Sequence, residues 1–136
     1  MQINIIYWSG TGNTEAMANF IKEGAESNGA AVNLKNVSNA SPDDITCDIL
    51  VLGCPSMGDE VLEESEFEPF IASIENSISG KKIALFGSYG WGDGQWMREW
   101  SERMDNAGAE LVVESLIVNE APDGQECKDF GAKIAG

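Results

Sequence analysis

The sequence predicts an α/β fold in which a parallel β-sheet is covered by helices on both faces. Short apolar runs alternate with amphipathic stretches from one end of the chain to the other. Two of the runs, Ile49–Gly53 and Ile83–Gly87, are apolar throughout, as expected for strands buried on both faces. Five strands alternating with five helices predict this layered sheet. The length of 136 residues fits one domain, which we expect to span residues 1–136.

The first half of the chain contains three predicted strands. The run Ile3–Trp8 is rich in β-forming residues and ends at a Ser-Gly turn. A helix follows from Asn13 to the Asn28-Gly29 pair, and its apolar face comprises Met17, Phe20, Ile21 and Gly24. The remaining elements are a strand over Ala31–Val37, a short helical segment from Pro42 and Asp43, and the strand Ile49–Gly53.

The second half contains three predicted helices and two strands. The first helix begins near Ser65 or Pro69, and its apolar face comprises Phe67, Ile71, Ile74 and Ile78. The strand Ile83–Gly87 follows, then a helix with the stripe Trp96, Trp100 and Met104 that ends near Asn106. A fifth strand over Leu111–Val118 and a last helix after Pro122, with Cys127, Phe130 and Ile134 on one face, complete the chain.

Composition excludes several classes of protein. The net charge of −15, from 23 acids and 8 bases, argues against nucleic-acid binding and suits partners with basic docking patches. No stretch approaches the ~20 apolar residues of a membrane helix, and the N-terminus lacks the basic region of a signal peptide. We therefore expect a cytoplasmic monomer that binds neither nucleic acid nor membrane.

Catalytic and metal sites of the common kinds are also excluded. The chain has no histidine, and its three cysteines, Cys47, Cys54 and Cys127, lack the spacing of metal ligands. Zinc sites and Ser-His or Cys-His nucleophiles are therefore not expected. We interpret the cysteines as buried, reduced thiols and predict no metal.

The loop Ser9–Thr14, between the first strand and the first helix, is predicted to bind a phosphate. Hydroxyls, an amide and backbone N–H groups can converge there at a helix N-terminus. A nucleoside triphosphate loop would need a lysine after its last glycine, and a dinucleotide fingerprint would have glycine or alanine where Glu15 stands. The loop therefore favours a single terminal phosphate, although a purely structural turn remains an alternative.

Two further loops follow the third and fourth strands, and parallel strands bring their carboxyl ends to one edge of the sheet. The first contains Met57, an apolar residue where a polar one is expected, and Gly58, where a tight turn favours φ > 0. The second, residues 88–94, interleaves Tyr89 and Trp91 with three glycines. Aromatic residues on such a loop indicate a stacking surface for a planar ring. The three loops together predict a site for a mononucleotide with a flat, apolar head.

These residues carry a family resemblance. Tyr7–Glu15, Leu52–Pro55 with Met57-Gly58, and Leu85–Gly92 resemble the three flavin mononucleotide (FMN) loops of short-chain flavodoxins, especially those of anaerobic bacteria. The resemblance implies a flavodoxin-like three-layer sandwich with a five-stranded parallel sheet of order 2-1-3-4-5. It also implies a low-potential, one-electron carrier that shuttles between redox partner proteins and is not an enzyme.

The same resemblance implies which residues bind FMN. They lie in three groups: Ser9, Gly10, Thr11, Gly12, Asn13 and Thr14; Pro55, Ser56, Met57, Gly58, Asp59 and Glu60; and Ser88, Tyr89, Gly90, Trp91, Gly92, Asp93 and Gly94. Met57 and Trp91 would sandwich the ring, and Glu60 would accept its N3–H. Rotation of the Gly58–Asp59 peptide would supply a carbonyl acceptor to the ring on reduction. A static turn glycine is the alternative for Gly58, and contact from Asn119–Pro122 is left open.

An acidic run between residues 59 and 68 contains no base. Its members are Asp59, Glu60, Glu63, Glu64, Glu66 and Glu68. We interpret the run as a source of negative potential that disfavours an anionic reduced flavin and attracts basic partners. A solvated helix start is the alternative, and the two interpretations are compatible. Two other functions are weaker alternatives: an FMN-dependent reductase, and a phospho-acceptor domain, which would need an aspartate where Gly53-Cys54 stands.

Overall fold

The computed structural model describes residues 1–136 and contains six β-strands and four α-helices. The strands are β1 (Gln2–Tyr7), β2 (Ala31–Asn36), β3 (Ile49–Gly53), β4 (Lys82–Tyr89), β5 (Glu110–Leu111) and β6 (Leu116–Asn119). The helices are α1 (Asn13–Ser27), α2 (Phe67–Ile74), α3 (Gln95–Asn106) and α4 (Gly124–Ala135). Short 3₁₀ turns occupy Val37–Asn39, Pro42–Ile45 and Glu75–Ser77. No helix combines the length and the apolar character needed to cross a membrane.

All strand pairs in the sheet are parallel, and the strand order is β2-β1-β3-β4-β5, which confirms the predicted fold class. β6 pairs with β4 beyond the end of β5, so both occupy the fifth position of the sheet. The strand order reverses between β1 and β3, and in such sheets ligands bind outside the carboxyl ends at this point.

The structure corrects three details of the sequence prediction. The fifth strand is not continuous over Leu111–Val118: β5 and β6 are separate strands, and of the residues between them Val112 still donates its N–H to the Ile83 carbonyl of β4 at 3.1 Å. β4 continues past Gly87, so Ser88 and Tyr89 belong to a strand and pair with Val118 and Asn119. The segment at Pro42 is a 3₁₀ turn, which leaves four α-helices where five helices were expected.

Two apolar cores lie on opposite faces of the sheet. The core toward α2 and α3 contains 18 buried residues, including the predicted stripe residues Phe67, Trp100 and Met104. The core toward α1 and α4 contains 16, including Met17, Ile21 and others from β1, β3 and β4. Helical and strand periodicity predicted these layers correctly because burial on a sheet face selects apolar side chains at fixed spacing.

The helices α1 and α4 approach each other closely through two glycines. A Cβ at Gly24 would overlap the backbone carbonyl of Lys128, and a Cβ at Gly131 would overlap that of Ile21. Backbone atoms cannot move aside as a flexible side chain can, so these positions require glycine despite its low helix propensity. The pair sets the distance between the two helices.

The N-terminus of α2 is capped by a buried carboxylate. Glu63, which is 6% exposed, accepts hydrogen bonds from the backbone N–H groups of Ser65 (2.9 Å), Glu66 (2.8 Å) and Phe67 (2.9 Å), and from the Ser65 hydroxyl. Burial alone would raise the pKa of Glu63, but these hydrogen bonds outweigh burial and lower it below its ordinary value. Glu63 therefore acts as a structural cap.

Gly131→Ala is expected to destabilise the protein by about 1–3 kcal/mol, because the new methyl group must push α1 and α4 apart. Helix propensity alone would give the opposite sign, a gain of about 1 kcal/mol. Urea unfolding of the FMN-free protein measures the change. Gly90→Ala is the control, since a Cβ there meets nothing within 4 Å. Stabilisation by Gly131→Ala would contradict the close contact.

Glu63→Gln is expected to cost about 1–2 kcal/mol of stability at pH 7, since the charged cap of α2 is lost. The folded-state pKa of Glu63 is lowered, so its contribution is present above its unfolded pKa of ~4.3 and is lost as pH falls through the folded value. The difference between the two proteins should therefore shrink below about pH 4. Urea unfolding across pH tests this, with exposed Glu64→Gln as control; a pH-independent difference would exclude a charged cap.

Candidate functional site

The loops after β1, β3 and β4 meet at the carboxyl edge of the sheet and enclose a cleft of about 590 Å³. Its walls include residues from all three predicted groups: Gly10, Thr11 and Asn13; Pro55, Ser56 and Met57; Ser88, Tyr89 and Gly90. This volume lies in the range of ordinary small-molecule sites. A wider groove of about 800 Å³ beside Glu75 and Arg103 has one apolar residue among seven and offers no surface for a flat ring.

One end of the cleft is built to bind an anion. The backbone N–H groups of Gly10, Thr11, Asn13 and Thr14 donate to no acceptor in the protein, and they lie at the start of α1. Gly12 adopts φ 100°, which turns the chain into the helix and suits glycine. Clustered N–H groups at a helix N-terminus are a ready site for phosphate. No lysine or arginine lines the cleft, so these neutral N–H groups are the donors that it offers to an anion.

Two hydroxyls of the first loop are already engaged within the protein. The Ser9 Oγ accepts hydrogen bonds from the N–H groups of Gly12 (3.1 Å) and Glu15 (3.3 Å), which holds the loop in its turn. The Thr14 and Ser88 hydroxyls share a buried hydrogen bond of 2.9 Å. That bond ties the start of α1 to the end of β4. Thr14 is buried behind the cleft, whereas Ser88 lines it.

The second loop forms a tight turn beside the cleft. Backbone hydrogen bonds join Met57 and Val61 in both directions, at 3.0 and 3.1 Å, and enclose residues 58–60. Gly58 has φ 42°, a conformation that disfavours side chains, although a Cβ there would meet no atom within 4 Å. The requirement for glycine is therefore conformational and not steric. Met57 contributes an apolar side chain to the wall, as expected.

Glu60 lies within the turn, but its carboxylate faces the start of α3. It is 8% exposed, and its Oε1 accepts a hydrogen bond of 3.1 Å from the backbone N–H of Gln95. A Cβ at Gly92 would lie 2.6 Å from this carboxylate, so Gly92 makes room for it. The structure thus places Glu60 beneath the third loop and outside the cleft wall.

The third loop carries Trp91 outward. Its side chain is 63% exposed and does not line the cleft, in contrast to Tyr89, which does. Gly92 and Gly94 have φ of 87° and 91°, and Gly94 leads directly into α3. Asp93 forms an exposed ion pair of 3.0 Å with Arg98. The loop is therefore anchored at both ends while its aromatic tip faces solvent.

The rear of the cleft is held by contacts between β3 and β4. A Cβ at Gly87 would overlap the Cys54 carbonyl oxygen, and a Cβ at Gly53 would overlap the Phe86 ring. The Trp96 indole N–H donates to the same Cys54 carbonyl at 3.2 Å. Burial raises the pKa of the Cys54 thiol to about 12, so this sulfur is not a nucleophile.

Three residues of the cleft wall lie outside the predicted groups: Trp8, which was not predicted, and Glu120 and Ala121, whose segment was left open. The Trp8 ring covers Gly10, where a Cβ would lie 2.9 Å from it. An aromatic residue directly before the Ser-Gly turn was the available signal for Trp8. Glu120 and Ala121 bring the loop after β6 to the cleft wall, and contact of Asn119–Pro122 with a bound flavin stays a prediction.

The members of the acidic run differ in burial and in pairing, and they fall into three groups. Glu60 and Glu63 are buried and accept backbone hydrogen bonds. Glu68 pairs with both terminal nitrogens of Arg103 at 2.7 Å, and Arg103 also binds Glu75. Only three members of the run are exposed: Asp59, Glu64 and Glu66. The exposed part of the acidic run is therefore limited to these three residues, and its effect on a bound flavin or a docking partner stays a prediction.

Comparisons with known proteins agree with this geometry. The family model described as "Flavodoxin" matches residues 5–131. A flavodoxin of Clostridium beijerinckii is 58% identical over 136 residues, which cover 98% of this chain and 99% of that protein. A flavodoxin of Megasphaera elsdenii is 47% identical and covers 98% of each chain. The solution structure of two-electron reduced Megasphaera elsdenii flavodoxin superposes with a TM-score of 0.91 over 98% of each chain.

This chain thus has sequence similarity to flavodoxins over nearly its whole length. It also has the parallel sheet order, a glycine-rich loop without bases at the start of α1, and a partly apolar cleft beside that loop. On these grounds, the chain belongs to the flavodoxin family.

Proposed function

We propose that residues 1–136 form a single domain that holds one FMN in the cleft and carries single electrons at low potential between redox partner proteins. The observation that carries this proposal is the set of four unbonded backbone N–H groups at one end of the cleft. They suit a phosphate monoester, and the apolar wall beside them suits a planar ring. When bound, FMN supplies a ring that accepts and releases electrons one at a time.

We assign the binding contacts to the residues of the three loops. The N–H groups and side chains of Ser9–Thr14 would hold the phosphate, while Pro55–Glu60 and Ser88–Gly94 would surround the ring. Met57 and Tyr89 support this assignment because they line the cleft next to the phosphate loop. Trp91 would pack on the outer face of the ring from its exposed loop. Glu60 would accept the N3–H of the ring from beneath that loop.

The charges around the cleft support a low potential. No base lines the cleft, and the only base next to its loops, Arg98, is paired with Asp93. Additional negative charge on a bound ring therefore meets no cation. One carboxylate about 10 Å away contributes only about 0.4 kcal/mol in water, so several are needed for a marked effect.

The two alternative functions lack support. Flavodoxins are electron-transfer proteins and not enzymes. At the end of β3, where a phospho-acceptor domain would need an aspartate, the chain has Gly53 followed by the buried Cys54.

We further propose that partners dock through basic patches onto the surface beside the cleft. The exposed acids Asp59 and Glu64 flank the exposed Val61 in sequence. The exposed Trp91 precedes Gly92, which lies against the Glu60 carboxylate of the same loop. An apolar centre with an acidic rim suits a transient partner of opposite charge. The net charge of −15 extends this attraction to longer range.

We also propose that the protein is a cytoplasmic monomer. The three cysteines are unpaired, as is usual in a reducing compartment. Exposed large apolar side chains are limited to Met1, Val61 and Trp91, which is too little for a permanent dimer interface. Light scattering on the purified protein should give the monomer mass of 14.6 kDa.

The purified protein is expected to bind one FMN and to bind riboflavin much more weakly. Thr11→Ala should weaken FMN about tenfold, through loss of a hydrogen bond to a charged group, and should leave riboflavin unchanged. Met57→Ala should weaken both flavins alike, because it removes apolar wall. Fluorescence titration of the FMN-free form measures the affinity for both flavins in the parent protein and in each of the two variants. If Thr11→Ala lowered the affinities for FMN and riboflavin equally, Thr11 would not contact the phosphate.

Electron transfer to a basic haem protein is expected to slow as salt rises from 10 mM to 0.5 M, since the attraction is screened. The double variant Asp59→Asn/Glu64→Gln should transfer electrons several-fold more slowly at low salt and normally at high salt. Glu110→Gln at the opposite edge of the sheet is the control. Stopped-flow rates that match the control at every salt concentration would exclude this surface from docking.

A further inference from the structure

The first turn of α1 carries a carboxylate next to the proposed phosphate site. Glu15 is the third residue of the helix, directly after Asn13 and Thr14, whose N–H groups donate to no acceptor in the protein. An acid at this position is attracted by the positive end of the helix, and its side chain commonly turns back to accept N–H groups at the helix start. Glu15 therefore stands where it can compete with a phosphate for these donors.

Two other acids of this chain do occupy the N–H groups at the start of a helical segment. Asp44, the third residue of the 3₁₀ turn Pro42–Ile45, accepts the N–H of Ser41 at 2.8 Å. Glu63 accepts three N–H groups around the start of α2. At the start of α1 the donors stay free although an acid is present, because the Glu15 carboxylate is held by another group.

That group is the Tyr7 hydroxyl, which donates a hydrogen bond of 2.9 Å to Oε2 of Glu15. The exposed Glu15 side chain forms no ion pair. Tyr7 is the last residue of β1, is 7% exposed and packs in the core toward α1 and α4, so its hydroxyl has a fixed position. Burial, with the contact to Glu15, raises the pKa of Tyr7, so the hydroxyl keeps its proton at neutral pH and remains a donor.

We infer that Tyr7 is a positioning residue for phosphate binding: its hydroxyl keeps the Glu15 carboxylate off the free N–H groups at the start of α1. The inference rests on the proposed function, namely that these N–H groups bind the FMN phosphate. Without the hydroxyl, the carboxylate is free to turn toward these donors, where it accepts their hydrogen bonds and repels the phosphate. Riboflavin has no phosphate, so its binding does not depend on where this carboxylate lies. Tyr7 thus acts through Glu15 and favours the phosphorylated flavin.

The test uses the variant Tyr7→Phe, which removes the hydroxyl and keeps the buried ring. Fluorescence titration of the FMN-free form measures the affinities for FMN and for riboflavin. We expect the affinity for FMN to fall about three- to tenfold and that for riboflavin to change less than about twofold. Adding Glu15→Gln to Tyr7→Phe should restore the parent ratio of the two affinities, because the competing charge is then gone. Adding Glu110→Gln instead, an equal charge change at the opposite edge of the sheet, should not restore it.

The double variant Tyr7→Phe/Glu15→Gln separates this role from a purely structural one. If the hydrogen bond between Tyr7 and Glu15 only supports the loop, the double variant lacks that support as well and binds FMN as weakly as Tyr7→Phe, which overturns the inference. An unchanged affinity for FMN in Tyr7→Phe, or an equal loss of FMN and riboflavin affinity, also overturns it, since the phosphate is then not the group affected. A parent protein that binds FMN no more tightly than riboflavin would instead refute the phosphate site of the proposed function.

Discussion

The close contact between the ends of β3 and β4 is the constraint on which the site depends. Gly87 has no side chain, so the Cys54 carbonyl can lie against the strand and accept the Trp96 indole N–H. The loops after both strands therefore start from fixed positions. The hydrogen bond between Thr14 and Ser88 attaches the phosphate loop to the same point. Three segments distant in sequence thus share one rigid base, and the cleft lies between them.

At the carboxyl edge of the sheet, backbone N–H groups provide the positive potential, and the side chains of lysine and arginine contribute little. Four N–H groups around the start of α1, those of Gly10, Thr11, Asn13 and Thr14, are left unbonded, whereas those at the start of α2 are occupied by the Glu63 carboxylate. The first turns of α1 and α2 offer the same kind of N–H donor. Because Glu63 occupies those of α2, only those of α1 remain free to bind a ligand. The bases of the chain lie mainly in ion pairs away from the cleft, such as Lys35 with Asp44. The anion site is therefore neutral in its side chains.

Much of the fold and part of the site could be predicted from the sequence. Buried strands and helix faces follow directly from apolar spacing, and the glycine-rich phosphate loop is a local feature. The gap in the fifth strand could not be predicted, because Val112 and Val113 continue the β-forming pattern. The roles of the acids depend on tertiary placement: Glu63 and Glu64 are adjacent and identical in chemistry, yet only Glu63 reaches the end of α2. The outward position of Trp91 likewise depends on loop geometry alone.

The glycine contact between α1 and α4 has a consequence for how the chain is made. The apolar face of α1, which includes Met17 and Ile21, is covered by Phe130 and Ile134 from the last helix. A ribosome releases residues in order from the N-terminus. Nascent α1 therefore remains uncovered on that side until α4 leaves the ribosome, whereas the buried residues of the opposite core extend only to Ala109. The core around α1 therefore cannot close before α4 has been made.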